Sequence, residues 1–390
     1  MVKIGIDKIG FHIPHYYVDM NDLAVARNVE PAKFTIGIGQ DEMAVAPVTQ
    51  DPVTLAANAA LNILDEEDIQ AIDFVMFGTE TGIDHSKSAG VYVHRLLGLQ
   101  PNARTIEMKQ ACYGATAALQ LAKGHIALNP ESKVLVLASD IARYGLNTAG
   151  EVTQGAGAVA MLISANPKIM TIENDSTFLT DDIMDFWRPT YSDIAYVDGK
   201  YSNEQYLAFV KHVWDKYKEE TNLSLDDFTA ICFHLPYTKM GVKALRTLLD
   251  EGNEATQERL QTNFDESIQY SRKVGNIYTA SLYLGLISLL ERKELEAGER
   301  IGLFSYGSGA VGEFFTGIIQ ENYRDHLNDH YHETLFSNRT RLSVEEYEEV
   351  FSAKLPTDGS TVTLNTENDP APIYLSGITE HMRQYENKKL

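Results

Sequence analysis

Cysteine is almost missing from this chain: of 390 residues, only Cys112 and Cys232 carry a thiol. Two thiols cannot build a disulfide framework, so a secreted, disulfide-stapled fold is excluded and a reducing compartment is expected. Basic residues are also few, 33 Lys and Arg against 55 Asp and Glu, for a formal charge of −22. A nucleic-acid partner needs a basic footprint against its phosphates, and this balance argues against one. Long apolar runs are absent as well. Stretches such as 282–290 fall far short of the ~20 residues that a membrane-spanning helix requires. Residues 1–14 alternate like a strand through Ile4, Ile6, Ile9 and Phe11 and lack the apolar core of a signal peptide. The expected compartment is therefore the cytoplasm, without membrane association, and the sequon at 338–340 is expected to stay unmodified.

What is present suits a globular enzyme. Hydrophobic residues make up 44% of the chain and charged residues 23%, which excludes global disorder. The length exceeds one small core and fits two domains or one large double-cored α/β unit. Ile72–Gly78, Val134–Ala138 and Ala158–Ile163 read as buried strands, and Ala111–Ala127 reads as a buried helix. The second half repeats the order: a strand at Thr229–Phe233, a helix at Ile277–Leu290 starting just after Asn276, then strands at Ile301–Tyr306 and Glu313–Ile319. Glu80, Cys112 and the 134–138 strand line up with His234, Asn276 and the 301–306 strand. This points to an internal duplication within an α/β fold of helix-covered sheets. Between the halves, 166–202 is rich in acids, aromatics and proline and reads as a packed segment covering a site. The tail at 356–372 is polar and weakly patterned.

Three side chains stand where chemistry is placed in such folds, at strand ends and helix starts. Cys112 lies at a strand-to-helix junction, where unpaired N–H groups and the helix dipole would lower a thiol pKa from about 8.5. The alternative is a small buried apolar residue. His234 follows directly on the 229–233 strand and is otherwise a satisfied structural histidine. Glu80 ends the 72–78 strand and is otherwise a solvated turn carboxylate. A thiol, an imidazole and a carboxylate together supply the parts of a covalent mechanism. Cys232 lies inside an apolar strand and reads as core. Lys239, Lys243 and Arg246 fall on one face of a helix after His234, and would suit phosphates or be a solvated face. Two further patterns are set aside. Gly307–Gly312 has the G-x-G-x-x-G spacing, but a strand follows it where a dinucleotide site needs a helix. His326, His330, His332 and Glu333 imitate a metal cluster but read as a charged, solvated helix end.

Taken together, Gly78-Thr-Glu80, Ala111-Cys-Tyr-Gly114, His234-Leu-Pro-Tyr-Thr-Lys239, Val274-Gly-Asn-Ile-Tyr-Thr279 and Tyr306-Gly-Ser-Gly309 resemble the hydroxymethylglutaryl-CoA synthase family, in its bacterial form. Ile36–Gln40, Asp140–Tyr144 and Asp185–Pro189 add to the likeness. The resemblance implies a thiolase-like fold, with duplicated halves in five αβαβα layers, working as a homodimer. Its divisions would be an N-terminal half, 1–165, carrying Glu80 and Cys112; a connecting segment, 166–202; and a C-terminal half, 203–390, carrying His234, Asn276 and Ser308. It implies acetyl-CoA and acetoacetyl-CoA as substrates, condensed with water to HMG-CoA and CoA on the mevalonate route. Cys112 would carry the acetyl group, Glu80 would move the methyl proton and His234 would polarise the acetoacetyl carbonyl. Substrate contacts map onto Glu30, Tyr144, Thr153, Ser202, Lys239, Lys243, Asn276 and Ser308. No cofactor or metal is called for, because the thioester itself acidifies the methyl protons. Gln110 stands where many relatives have an acid. The nearest rivals are a ketoacyl synthase or thiolase, which lack the Glu80 equivalent, and a non-catalytic acyl-CoA-binding protein.

Overall fold

The computed structural model describes residues 2–192 and 194–389. Apolar runs condense into ten strands of one sheet: β1 (Ile4–His12), β2 (Ile72–Gly78), β3 (Arg104–Met108), β4 (Lys133–Ala142), β5 (Gly155–Ala165), β6 (Met170–Ile172), β7 (Thr177–Thr180), β8 (Ala230–Phe233), β9 (Arg300–Gly307) and β10 (Val311–Ile319). Their order is β8-β9-β10-β6-β1-β5-β4-β2-β3, with β7 also against β10. The two halves of this sheet join in the middle, where β6 pairs β1 with Gly5 opposite Thr171 and Ile6 opposite Met170.

The expected duplication is visible in the pairing. In one half β2 runs parallel to β4, β4 antiparallel to β5, and β5 antiparallel to β1. In the other half β8 runs parallel to β9, β9 antiparallel to β10, and β10 antiparallel to β6. A parallel pair needs a crossover connection, and in each half the last element before the return strand is a buried helix. These are α1 (Gly114–Leu128) and α2 (Ser281–Arg292).

Alternation along each strand then sorts side chains into three cores. Val134 and Val136 of β4, and Ile301 and Leu303 of β9, face a central core filled by Ala118, Leu119, Leu284 and Leu290 from the two helices. Leu135 and Leu137 face the opposite way, against helices that supply Ala56, Ala59 and Val93. Phe304 and Tyr306 face a third core with Phe209, Trp214 and Leu245. Helix, sheet, helix, sheet, helix is thus the layering. Strands covered on both faces read as unbroken apolar runs for this reason.

Two departures from the sequence-based expectation matter for the site. The first central helix begins at Gly114 and not at 111, and Cys112 sits in the turn before it with Ala111 in the left-handed region at φ +42°. Correspondingly, the second begins at Ser281 after a 3-10 turn at Tyr278–Ala280, with Tyr278 at φ +45°. A third departure is structural. His332 is not at a solvated end; it is fully buried, with Nδ1 2.6 Å from Glu291 and Nε2 accepting from the Phe11 N–H at 3.1 Å. The strand expected after Gly307–Gly312 is present as β10. Residues 373–387, in which no pattern was read, form a hairpin whose Arg383 and Tyr385 both reach Asp51, the cap of the helix Pro52–Leu61.

Gly78 closes β2 against the start of α1. A Cβ there would lie 2.6 Å from the Ala115 nitrogen and 2.8 Å from its Cα, both rigid backbone. Gly78→Ala is expected to cost about 1–3 kcal/mol in urea unfolding, as overpacking of a filled core does. Because the strain falls between the strand leading to Glu80 and the helix following Cys112, activity should fall further than stability explains.

Candidate active site

The segment after β2 cannot continue the strand, because its backbone is captured by a buried carboxylate. Asp140 Oδ1, on β4, accepts from the Thr79 hydroxyl (2.8 Å), the N–H groups of Glu80 (2.9 Å) and Thr81 (3.0 Å), and the Thr81 hydroxyl (2.7 Å). Its Oδ2 accepts from the Thr279 N–H at 3.0 Å and hydroxyl at 2.5 Å. One side chain therefore sets both the Glu80 turn and the turn after Asn276. Glu80 is delivered to Cys112, whose thiol donates to Glu80 Oε1 at 3.0 Å.

Electrostatics follow from burial. Loss of water, reinforced by the Asp140 charge, pushes the Glu80 carboxyl up to about 8, despite the hydrogen bond from Cys112 and the distant Arg188. Glu80 can therefore hold or release a proton near neutrality, as an acid–base group requires. The Cys112 thiol is raised well above the ordinary range, by burial first and then by the Glu80 charge. This corrects the expectation of a lowered pKa: desolvation and a neighbouring carboxylate outweigh the helix dipole. Cys112 rests as a neutral thiol. Burial alone lowers His234 to about 3, so its ring is neutral.

His234 extends β8 by one bond, its N–H donating to the Phe304 carbonyl at 2.8 Å, while its own carbonyl accepts from the Tyr206 hydroxyl at 2.6 Å. Its Nδ1 is buried without a protein partner among the described residues. Asn276 donates to the Tyr144 hydroxyl at 3.2 Å, and its Oδ1 accepts from the Tyr278 N–H and the Ser281 hydroxyl, both at 2.9 Å. Cys112, His234 and Asn276 open into one cavity of about 370 Å³, together with Tyr144, Thr153, Ser202 and Ser308. Phe186, Val197 and Ser202 bring the 166–202 segment over this cavity, as its aromatic content suggested.

Four sequence-derived candidates are not lining residues: Glu80, which stands behind Cys112 at 3.0 Å, and Glu30, Lys239 and Lys243. Glu30 is exposed, ahead of the turn Lys33–Ile38 whose last residue does line it. Lys239 is half-buried and Lys243 exposed on the helix Thr238–Leu249. Lys243 nevertheless reaches the rim, donating to the hydroxyl of the lining residue Tyr237 at 2.9 Å. Sequence reasoning gave no role to Asp140 or Asp185. Asp185 accepts from the Ser202 hydroxyl (3.1 Å), the Tyr306 hydroxyl (2.9 Å) and the Gly309 N–H (2.9 Å). Both aspartates lie in the motifs that carried the resemblance, but nothing in sequence marks a carboxylate as buried.

A raised thiol pKa has a testable sign. Iodoacetamide attacks the thiolate, so Cys112 should react slowly at pH 7 and faster towards pH 9, with Cys232, held at about 12 by burial, slower still. Removing the Glu80 charge should ease ionisation of Cys112. Glu80→Gln should then speed alkylation several-fold at pH 9, where Glu80 is ionised, and less at pH 7, where it is mostly protonated. Identical rates for the two proteins at pH 9, followed by mass spectrometry, would show that the two groups are not coupled.

The geometry can be compared with known proteins. The hydroxymethylglutaryl-coenzyme A synthase N-terminal family matches residues 2–168, and the corresponding C-terminal family matches 172–263 and 246–385. The hydroxymethylglutaryl-CoA synthase of Enterococcus faecalis is 56% identical over 387 residues, covering 99% of this chain and 100% of that protein. A crystal structure of an HMG-CoA synthase complexed with CoA superposes with a TM-score of 0.96 at 47% identity, over 99% of this chain and 100% of the other. The structure of MvaS in complex with 3-hydroxy-3-methylglutaryl coenzyme A gives 0.90 at 36% identity, over 99% of both chains. With both halves matched and the layering shared, this chain belongs to the hydroxymethylglutaryl-CoA synthase family and has its thiolase-like fold.

Proposed function

We propose that the chain condenses acetyl-CoA with acetoacetyl-CoA and water to HMG-CoA and CoA, on the mevalonate route. The observation that carries this reading is the 3.0 Å contact between the Cys112 thiol and Glu80 at a cavity also lined by His234. A ketoacyl synthase or thiolase lacks the glutamate, and a binding protein needs none of the three. The family relatives at up to 56% identity support the same reaction.

In this reading Cys112 attacks the acetyl thioester, and CoA leaves with the thiol proton. Glu80 then takes a proton from the methyl group of acetyl-Cys112. The resulting enolate attacks the ketone carbon of acetoacetyl-CoA, and the new alkoxide is protonated from Glu80. Water finally hydrolyses the Cys112 thioester, freeing the thiol and the product carboxylate. His234, neutral and unable to carry charge at working pH, polarises the ketone by hydrogen bonding. Developing negative charge on the acetyl oxygen needs backbone donors. The Gly309 N–H is occupied by Asp185, which leaves the N–H groups of Cys112 and Ser308 for that task. Tyr144, Thr153, Ser202, Asn276 and Ser308 would contact substrate within the cavity, and Glu30, Lys239 and Lys243 would act from its rim. The chain divides in this reading into halves 1–165 and 203–390 joined by 166–202. It works as a homodimer in the cytoplasm, as the family resemblance implies, and needs neither cofactor nor metal.

A single-turnover assay with labelled acetyl-CoA separates the roles. Glu80→Ala should still form acetyl-Cys112 but lose product formation by about 10²–10⁴-fold, the usual weight of a positioned acid–base group. His234→Ala should also acetylate and then fail at carbon–carbon bond formation. Cys112→Ala should carry no label. Near-normal HMG-CoA formation by Glu80→Ala would remove the basis for the assignment.

A further inference from the structure

The cavity wall is built on a second buried carboxylate, remote from the reacting atoms. Glu151 is 2% exposed. Arg27, which caps the end of the helix Met20–Ala26, reaches it with two parallel bonds, Nε to Oε2 at 2.8 Å and Nη2 to Oε1 at 2.7 Å. Glu151 Oε2 also accepts the Asn147 N–H at 2.9 Å, and Oε1 accepts the Tyr347 hydroxyl at 3.2 Å. That hydroxyl in turn accepts from Gln154 at 3.0 Å, and Gln154 Oε1 takes the N–H groups of Tyr144 at 2.6 Å and Gly145 at 3.0 Å. Every one of these contacts lands on the loop that presents Tyr144, Gly150 and Thr153 to the cavity. Further along the same segment as Arg27, Ile38 also lines the cavity. A bidentate guanidinium–carboxylate pair fixes both distance and plane.

Resting on the reaction read above, we propose that Glu151, clamped by Arg27, is a positioning residue for acyl-CoA binding: it fixes the loop that presents Tyr144, Gly150 and Thr153 to the cavity. The division of labour is physical. Asp140 organises the turn of Glu80, whereas none of the contacts made by Glu151 touches Cys112 or Glu80. Loosening Glu151 therefore weakens binding of the CoA thioester and leaves the chemistry of acylation in place. Glu348 also holds Arg27, Nη1 to Oε1 at 2.7 Å, so loss of the Glu151 charge does not strand the guanidinium.

The test compares Glu151→Gln, the milder Arg27→Lys, and Tyr347→Phe, which cuts only the link to Gln154. CoA itself is titrated calorimetrically, KM and kcat are measured for acetyl-CoA, and acetyl-Cys112 is quantified by intact mass at saturating acetyl-CoA. Glu151→Gln should weaken CoA binding and raise KM by about tenfold, with kcat within about threefold of wild type and full acetylation, the signature of lost uniform binding. Arg27→Lys, which keeps the charge and loses the fork, should fall between it and wild type, and Tyr347→Phe should shift KM in the same direction. A melting temperature lowered with CoA affinity and KM unchanged would overturn the proposal, as would a fall in kcat at constant KM. If Glu151→Gln does not fold, the other two variants decide by the same criteria. A wild-type protein that binds CoA but makes no HMG-CoA would refute the reaction while leaving the binding comparison to judge this inference.

Discussion

Asp140 receives six hydrogen bonds in a position closed to water, four from residues 79–81 and two from Thr279. The donors come from both halves of the molecule, so the carboxylate is where the halves are held in register at the site. Burial raises its pKa, and the donated hydrogen bonds oppose that rise. A carboxylate so enclosed would be costly without its donors, so the surrounding backbone is held in a conformation that supplies them. The Glu80 turn and the Asn276–Thr279 turn follow from that requirement.

A second consequence concerns charge. Glu80, Cys112 and Asp140 crowd acidic groups into a volume with little water: the Asp140 charge disfavours ionisation of Glu80, and the charges of both carboxylates disfavour ionisation of Cys112. The result is a neutral thiol beside a carboxyl poised near neutrality and an uncharged imidazole. Such a site suits proton removal from a weak carbon acid better than it suits a permanently ionised nucleophile. The overall charge of −22 gives an anionic ligand no general attraction, so any such attraction has to come from local features.

Separate buried carboxylates anchor the Cys112–Glu80 contact and the cavity walls. Asp140 orders the turns of Glu80 and Asn276 from strand β4, while the Arg27–Glu151 pair and Asp185 order the walls. Asp185 ties Ser202, Tyr306 and Gly309 together, joining the connecting segment to the glycine-rich turn after β9. Three buried aspartate or glutamate side chains thus fix loops that carry little regular structure of their own.

Much of this was legible in the amino-acid order, and for identifiable reasons. Runs such as 134–138 and 301–306 announce strands because both faces are buried, and repetition of strand, helix and strand exposes the duplication. Cys112, His234 and Glu80 stand out because each is a polar residue directly beyond an apolar run. Local order could not tell that Glu80 lies 3.0 Å from a thiol 32 residues away, nor that the thiol would be raised and not lowered. Helix position is a local property, whereas desolvation and a neighbouring charge exist only once the halves pack. For the same reason the helices appeared to start too early: the left-handed backbone at Ala111 and Tyr278 is imposed by contacts across the interface, against the preference of those residues. The sequence alone determined the layers, the repeat and the candidate reactive groups. Their protonation states, their register and the walls around them were decided by tertiary structure, because each depends on what is excluded from, or brought beside, a group by residues far away in the chain.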